Sequence, residues 1–384
     1  MQSASQYDRL GSAFASDHLR DLLVELCQIP SPSRSERAIA DHLAALLTAL
    51  GMSVREDDAA TVTAGNTGNL IAELPGNRPG RMVLAAHMDT VPLVPGEPLV
   101  ALADGSVLRS SGKQILGADD KAGVAIVIAL LERLSRLPLA ERPTIIAVIT
   151  VCEELGLLGA HHLDVPALGA DFAYSFDGEV PVGELIAKAV FKEDLTLVVR
   201  GRRAHAALEP EAGIHAIAAA AEVVRSFPLG RSADDLVANI GSISGGGATN
   251  VVPDKAELRA EARSFSAERL EELIANIEHK ALAAISDTGA ELHIERQRLY
   301  DGYDLSEASE PFRRLKATAP AHGLTPSKVV SIGGSDTNVL NQKGLPTVNV
   351  GINMHEIHSV DEWIDAADLA RVAGWVFDAL LVDD

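Results

Sequence analysis

The chain has 384 residues, with 33 basic against 54 acidic side chains, a formal net charge of −21 and a hydrophobic share of 47%. That much apolar material excludes wholesale disorder, and the acidic balance excludes the usual nucleic-acid partner, whose affinity comes from Lys and Arg neutralising phosphates. An anionic membrane surface is disfavoured for the same reason, and at roughly 150 residues per domain the length corresponds to two or three domains.

In chain order, Asp17 precedes Leu19, Leu22, Leu23 and Leu26 at helical spacing, and Pro30 ends that stretch. Ser33 and Glu36 have the spacing of a capping box. Ile39, Leu43, Leu46 and Leu50 then form an apolar stripe that stops at Gly51, a helix-ending residue. Strand-like runs follow at 69–74, 81–86, 144–151 and 171–176, with a helix predicted over 121–134. Short apolar strands alternating with helices argue for an α/β domain with a mostly parallel sheet. The middle of the chain differs. A strand at 193–200, an Ala-rich helix at 213–227, a glycine loop at 241–249, a strand at 256–265, an amphipathic helix at 267–285 and a strand at 292–299 form an α+β pattern. We read residues 189–301 as a unit inserted into the larger domain formed by 1–188 and 302–384, where strands near 328–332 and 347–350 resume the first pattern.

Cys27 and Cys152 are too few for a disulfide framework and lie in apolar segments, so both are expected as buried free thiols. The opening MQSASQYDRL lacks a basic stretch followed by an apolar one. The longest uncharged apolar run, 122–131, is far short of the ~20 residues a membrane span needs. A soluble, reducing, cytoplasmic setting is the expectation, with no membrane partner.

The informative feature is where polar residues meet strand ends. The run at 83–86 leads into His87 and Asp89, 145–151 into Glu153 and Glu154, and 172–176 into Asp177. Ligands gather at the carboxyl edge of a parallel sheet, so three strands delivering His or carboxylate groups there indicate a site. Asp119 and Asp120 precede a helix, where either would also serve as an N-cap. His355 and His358 follow the strand at 347–350; His355 is read as a surface residue. Together His87, Asp119, Glu154, Asp177 and His358 suit Zn²⁺, with Mn²⁺ or Co²⁺ as alternatives. Five donors exceed one open catalytic zinc and suit two divalent ions sharing a carboxylate, an arrangement that generates hydroxide and stabilises an oxyanion. Glu153 is then placed to take a proton from water and pass it to a leaving amine, and Asp89 to accept the second N–H of His87. Gly245-Gly246-Gly247 is not followed by Gly-Lys-Ser/Thr, which argues against a nucleotide loop.

Three segments, His87-Met88-Asp89-Thr90-Val91, Gly117-Ala118-Asp119-Asp120-Lys121-Ala122-Gly123 and Glu153-Glu154-Leu155-Gly156-Leu157-Leu158-Gly159-Ala160, resemble the di-zinc exopeptidases. That superfamily includes aminoacylase, glutamate carboxypeptidase and peptidase T, and the second segment is most similar to the peptidase T branch. The resemblance implies that His87 and Asp177 bind one metal, Glu154 and His358 the other, and that Asp119 bridges both. It implies Glu153 as general acid/base with Asp89 behind His87, and a cis Asp119–Asp120 peptide. The inserted domain would be a lid and dimerisation domain, hence a homodimer. Within it Gly201-Arg202-Arg203-Ala204-His205-Ala206 is similar to the segment whose histidine, here His205, stabilises the oxyanion. Asn250 and Arg263 match positions that hold substrate, with Arg259 competing; Gly334 and Ser335 lie in a Gly-Gly-Ser-Asp segment similar to a substrate-facing turn of the catalytic domain. Aspartate at position 177 accompanies aminopeptidases in this superfamily, which implies release of the N-terminal residue from a short peptide. The residues around His355 and His358 differ from tripeptidase sequences, which leaves peptide length open. A carboxypeptidase or N-acyl amino acid amidohydrolase on the same metals is the alternative enzyme, and a catalytically silent peptide-binding protein the alternative of another class.

Overall fold

The apolar run at 122–131 is the middle of a helix buried on every side, and the larger part of the fold is assembled around it. The computed structural model describes residues 14–382. They divide into two units, one containing residues up to Lys188 with Asp304–Val330 and the stretch from Ser335 onward, the other Ala189–Tyr303 with Ser331–Gly334.

The first unit opens with helices α1 (Ser16–Cys27) and α2 (Arg37–Ala49), then strands β1 (Ser53–Glu56), β2 (Leu70–Leu74), β3 (Arg81–His87), β4 (Leu102–Asp104) and β5 (Val107–Arg109). The buried helix α3 (Ala118–Ser135), β6 (Thr144–Thr150), β7 (Phe172–Gly178) and β8 (Glu184–Ala189) follow. The second unit holds β9 (Phe191–Arg200), α4 (Ala216–Ser226), β10 (Gly230–Ala233), β11 (Leu236–Gly245), β12 (Lys255–Ser264), α5 (Ala267–Ile285) and β13 (Glu291–Tyr300). The chain returns through β14 (Tyr303–Asp304), α6 (Glu310–Thr318), β15 (Ser327–Ser331), α7 (Asp336–Gln342), β16 (Thr347–Gly351), β17 (Trp363–Asp365) and α8 (Ala366–Leu381).

The central sheet runs β1-β2-β6-β3-β7-β16-β8-β14, with β15 also on β8. Its middle four strands, β6-β3-β7-β16, are parallel, while β2 and β8 pair antiparallel at their flanks. Alternate residues of these strands serve different cores. Met82, Leu84 and Ala86 join Ile145, Ala147 and Ile149 under α3, whereas Val83 and Ala85 join Ile146 and Val148 on the opposite face. Apolar residues on both faces are what a sheet covered on both sides requires. In the second unit, β10-β11-β12-β9-β13 form an antiparallel sheet. Leu195, Leu197, Val199 and Leu258 pack beneath Leu270, Ile274, Ile277 and Ala281 of α5. The intervening Lys192, Asp194 and Thr196 are only partly buried, the one-sided alternation of an antiparallel sheet.

Two local expectations are corrected. Ser33 and Glu36 form no capping box: α2 starts at Arg37, Ser33 Oγ donates to Asp89 at 2.7 Å, and Glu36 Oε1 accepts from the Cys152 N–H at 3.2 Å. Long-range partners have taken over groups that local spacing assigned to the helix. The glycine loop does not begin at Gly241, because β11 continues to Gly245 with a register shift between Ile240 and Ser242 that absorbs one residue as a bulge. The C-terminal stretch resumes the first pattern as read, with helices α6, α7 and α8 between and after its strands.

No helix among the described residues is long and apolar enough to cross a membrane. Cys27 and Cys152 are free and buried. Burial pushes the Cys27 thiol up to about 12, so near neutral pH it stays protonated and without its nucleophilic form. Native protein at pH 8 should leave Cys27 unmodified by iodoacetamide and lose that protection in guanidinium. Rapid native alkylation, read by peptide mass mapping, would contradict the packing of α1.

Candidate metal centre

Four adjacent parallel strands end on one edge. The register pairs His87 with Thr150, so β3 and β6 stop level with each other. His87 closes β3, Glu153 and Glu154 lie just past β6, Asp177 is near the end of β7, and His358 comes from the segment after β16. Beyond β6 the backbone turns left-handed at Cys152 (φ 52°) and enters the short turn Glu153–Leu155. His358 is also left-handed (φ 62°). Such conformations in non-glycine residues cost roughly 1–3 kcal/mol and cluster at functional sites.

The Asp119–Asp120 peptide is cis, and neither residue has helical dihedrals. Asp120 caps the regular part of α3 by accepting the Gly123 N–H on Oδ1 at 3.1 Å, and its Oδ2 accepts the His87 N–H at 3.2 Å. The cap is therefore Asp120, which leaves Asp119 to the cluster. Gly123 is needed here: a Cβ would lie 2.6 Å from the Phe176 carbonyl oxygen, so only glycine lets α3 approach β7 this closely.

Asp119 divides its two oxygens between two groups of donors. Oδ1 lies 3.1 Å from His87 Nε2, which is 3.9 Å from Asp177 Oδ1. Oδ2 lies 3.0 Å from His358 Nε2, which is 2.9 Å from Glu154 Oε1. Donor atoms of His87, Asp119 and Asp177 all lie within 4.8 Å of one another, as do those of Asp119, Glu154 and His358, and those of His87, Glu153 and Glu154. Ligands on a tetrahedral ion with bonds near 2.0–2.2 Å sit about 3.3 Å apart, which these spacings match. Glu154 Oε1 is buried and accepts no aligned hydrogen bond, so its approach to His358 is a close contact still short of a partner.

The charges show the same deficit. Burial, with repulsion from nearby carboxylates, holds Glu153 and Asp177 well above the ordinary carboxyl range. Burial also works against Asp119, but hydrogen bonds with His358 and His87 outweigh it and keep that carboxyl below its usual value. Interaction with the Asp119 carboxylate first, then with the Glu154 carboxylate close by, raises His358 to about 10. A positive charge is favoured at this point, as a protonated imidazole or as a divalent ion.

Asp89 is fully buried and supports the site from behind. Its carboxylate accepts the Glu153 N–H at 2.9 Å, the Glu154 N–H at 3.3 Å and the Ser33 hydroxyl at 2.7 Å. His87 Nδ1 lies 3.0 Å from the Asp89 main-chain oxygen and 3.5 Å from its carboxylate, so the carbonyl is the closer acceptor. Either one fixes the proton on Nδ1 and turns Nε2 toward Asp119. Ser33 and Glu36 were not singled out by sequence as part of this site, because their partners lie too far along the chain for local spacing to signal; Asp120, one of the two cap candidates, is the one that caps α3. His355 is half-buried instead of exposed, its ring stacked on Trp363 at 3.8 Å.

Within the second unit, His205 is exposed, and its Nδ1 accepts the N–H groups of Ala207 (3.2 Å) and Leu208 (3.1 Å). Its neutral form therefore carries the hydrogen on Nε2, facing outward as a donor. Asn250 is its neighbour across a short bridge, where the Asn250 carbonyl accepts the Ala206 N–H at 3.0 Å. Arg263 forks onto Glu261 at 2.9 and 3.1 Å and donates to the Ile332 carbonyl at 2.8 Å, while Arg259 pairs with Glu257. The Gly-Gly-Ser-Asp segment is not one turn of the catalytic domain. Gly334 belongs to the second unit, so close to Tyr300 that a Cβ would meet its ring at 2.1 Å. Ser335 belongs to the first, where it caps α7 in a capping box with Asn338.

Residues 193–287 match the peptidase dimerisation domain, and residues 69–173 match peptidase family M28. The crystal structure of aminopeptidase PepT from Bacillus cereus ATCC 10987 is 35% identical, covers 96% of this chain and 99% of its own, and superposes with a TM-score of 0.84. A tripeptidase of Staphylococcus aureus subsp. aureus Mu50 is 31% identical over 96% of this chain and 98% of its own, with a TM-score of 0.87. The chain belongs to the di-zinc exopeptidases, in their peptidase T-like branch. It is a metallopeptidase of that family. A Bacillus subtilis (strain 168) relative, the uncharacterised protein YqjE, is 34% identical over 93% of this chain and 96% of its own length.

Asp89→Asn should lower the unfolding free energy of metal-stripped enzyme by about 1–3 kcal/mol, since an amide nitrogen would then face a buried N–H donor. Urea denaturation in chelator measures it, and unchanged stability would refute the role given to Asp89.

Proposed function

We propose that this peptidase T-like enzyme is a two-metal aminopeptidase that releases the N-terminal residue from short peptides, tripeptides foremost. The observation that carries this reading is the division of Asp119 between two histidine-carboxylate groups, which is the geometry of a bridging ligand. His87 and Asp177 would hold one ion, Glu154 and His358 the other. Two divalent ions, Zn²⁺ or alternatively Mn²⁺ or Co²⁺, would polarise the scissile carbonyl and make water a nucleophile near neutral pH.

Glu153 does the proton work in this reading. Its backbone is fixed by Asp89, and its carboxyl stands within the donor group of His87 and Glu154. Burial that raises its proton affinity suits a group that takes a proton from the attacking water and gives it to the nitrogen of the departing amine. The outward Nε2–H of His205 suits an oxyanion donor, and Asn250 and Arg263 a place for the substrate's backbone or carboxylate. Gly334 and Ser335 are proposed to border the substrate. Residues 1–188 and 302–384, apart from the Ser331–Gly334 segment that joins the second unit, would form the catalytic domain and 189–301 the lid, through which the chain would dimerise; the match to peptidase dimerisation domains supports that assembly. The aminopeptidase direction rests on Asp177 and on the activities named for the two solved relatives.

Glu153→Gln should lower kcat roughly 10²–10⁴-fold while metal content, measured by elemental analysis, stays as in the parent. Loss of metal together with turnover would make Glu153 a ligand. On a panel of free and N-acetylated di- and tripeptides, free tripeptides should be cleaved and acetylated ones spared. Preferred cleavage of acetylated substrates would assign the chain to the deacylases, and release of the C-terminal residue to the carboxypeptidases. Stripping the metal with chelator should abolish turnover and lower the melting temperature, with a loss of about 2.7 kcal/mol if the ion was present at a hundred times its Kd.

A further inference from the structure

One buried carboxylate lies outside every role given so far. Glu362 is 1% exposed and immediately precedes β17. Its Oε2 accepts the Gly117 N–H at 2.7 Å and its Oε1 the Asp119 N–H at 3.0 Å. Gly117 is left-handed (φ 75°), a conformation that turns successive N–H groups toward one anion. The two oxygens therefore grip the backbone on both sides of Ala118, directly behind the carboxylate shared by the two donor groups.

The backbone of Glu362 is itself tied down. Its carbonyl accepts the Ser110 N–H at 3.0 Å, and its N–H reaches the Ser359 carbonyl at 3.4 Å. Trp363, the next residue, pairs with Arg109 in β5. Ser359 adjoins His358, so a short hydrogen-bonded segment carries that imidazole at one end and holds the main chain of Asp119 at the other. The 3.0 Å separation between His358 Nε2 and Asp119 Oδ2 is set across this connection.

We infer that Glu362 is a positioning residue, a backbone clamp that fixes Asp119 against His358 so that both meet the same ion. The inference rests on the proposed reading of Asp119 and His358 as metal ligands. It assigns no chemistry to Glu362, which touches neither substrate nor ion.

The isosteric change Glu362→Gln discriminates well, because it keeps volume and replaces one of two acceptors with an NH₂ that faces an N–H. Zinc affinity of the stripped full-length protein, measured by competition with a chromogenic chelator, should fall roughly 10–100-fold, the range for partners that orient metal ligands. Activity should recover as Zn²⁺ is raised, which general loss of folding would not allow. In the metal-free protein, hydrogen exchange at Gly117 and Asp119 should quicken while the amides of β6 keep their protection. Unchanged zinc affinity with unchanged exchange at 117–119 would overturn the inference. If Glu362→Gln does not fold, Glu362→Asp, which keeps both oxygens on a shorter arm, should weaken zinc binding in the same direction; parental affinity would overturn it. Should the parent protein bind no zinc, the two-metal reading fails, and the exchange comparison alone decides whether the clamp exists.

Discussion

Asp89, Asp119, Asp120, Glu153, Glu154 and Asp177 converge on one edge of a sheet whose interior is apolar and mostly aliphatic. Each carboxylate removed from water carries a large desolvation penalty, and each neighbour adds repulsion. The local structure is organised around that cost. Asp89 is neutralised by two backbone N–H groups and the Ser33 hydroxyl, and Asp120 by the N–H groups of Gly123 and His87. These two have spent their acceptors on the protein and act as framework. Asp119, Glu154 and Asp177 instead face imidazoles at distances set by no aligned backbone donor, and Glu153 stands beside them. Hydrogen-bond accounting thus separates carboxylates that build the framework from those left facing the imidazoles.

The same accounting explains the two histidines. An imidazole among carboxylates is drawn toward its protonated form, as the elevated His358 shows. A divalent ion competes for the same electron pair, so ion and proton are alternatives at Nε2. The tautomer of His87, set by the Asp89 main-chain oxygen, keeps that electron pair directed at Asp119.

The sequence made the parallel core legible because its apolar runs end in His, Asp or Glu, and because few residue types other than metal donors fall at those ends. The amphipathic helix over residues 267–285 was equally plain, and its bounds in the structure are Ala267–Ile285. What stayed hidden is non-local. Ser33 and Glu36 carry a spacing that local rules assign to a helix cap, yet Glu36 is recruited by the Cys152 N–H, far along the chain. Glu362 precedes a three-residue strand and gives no periodic signal; its meaning appears only where the Gly117 turn folds onto it. Strand direction was also illegible: β2 carries the same apolar pattern as its neighbours but pairs antiparallel to β6.

The inserted unit leaves the large sheet after β8 and returns at β14, and these two strands are neighbours. The gap that interrupts the first unit is therefore bridged at one place in its sheet. During synthesis the ribosome delivers His87, Asp119, Glu154 and Asp177 before the insertion, then the second core, and His358 after it. Domains generally fold as units while the chain emerges, so the second unit has all its residues outside the ribosome before the first does. For most of translation the cluster of acids waits without β16, its neighbour on one side, and without its second imidazole. The donor group of His87, Asp119 and Asp177 is therefore all on the emerged chain before the insertion is made, whereas that of Asp119, Glu154 and His358 is complete only once the segment after β16 has followed.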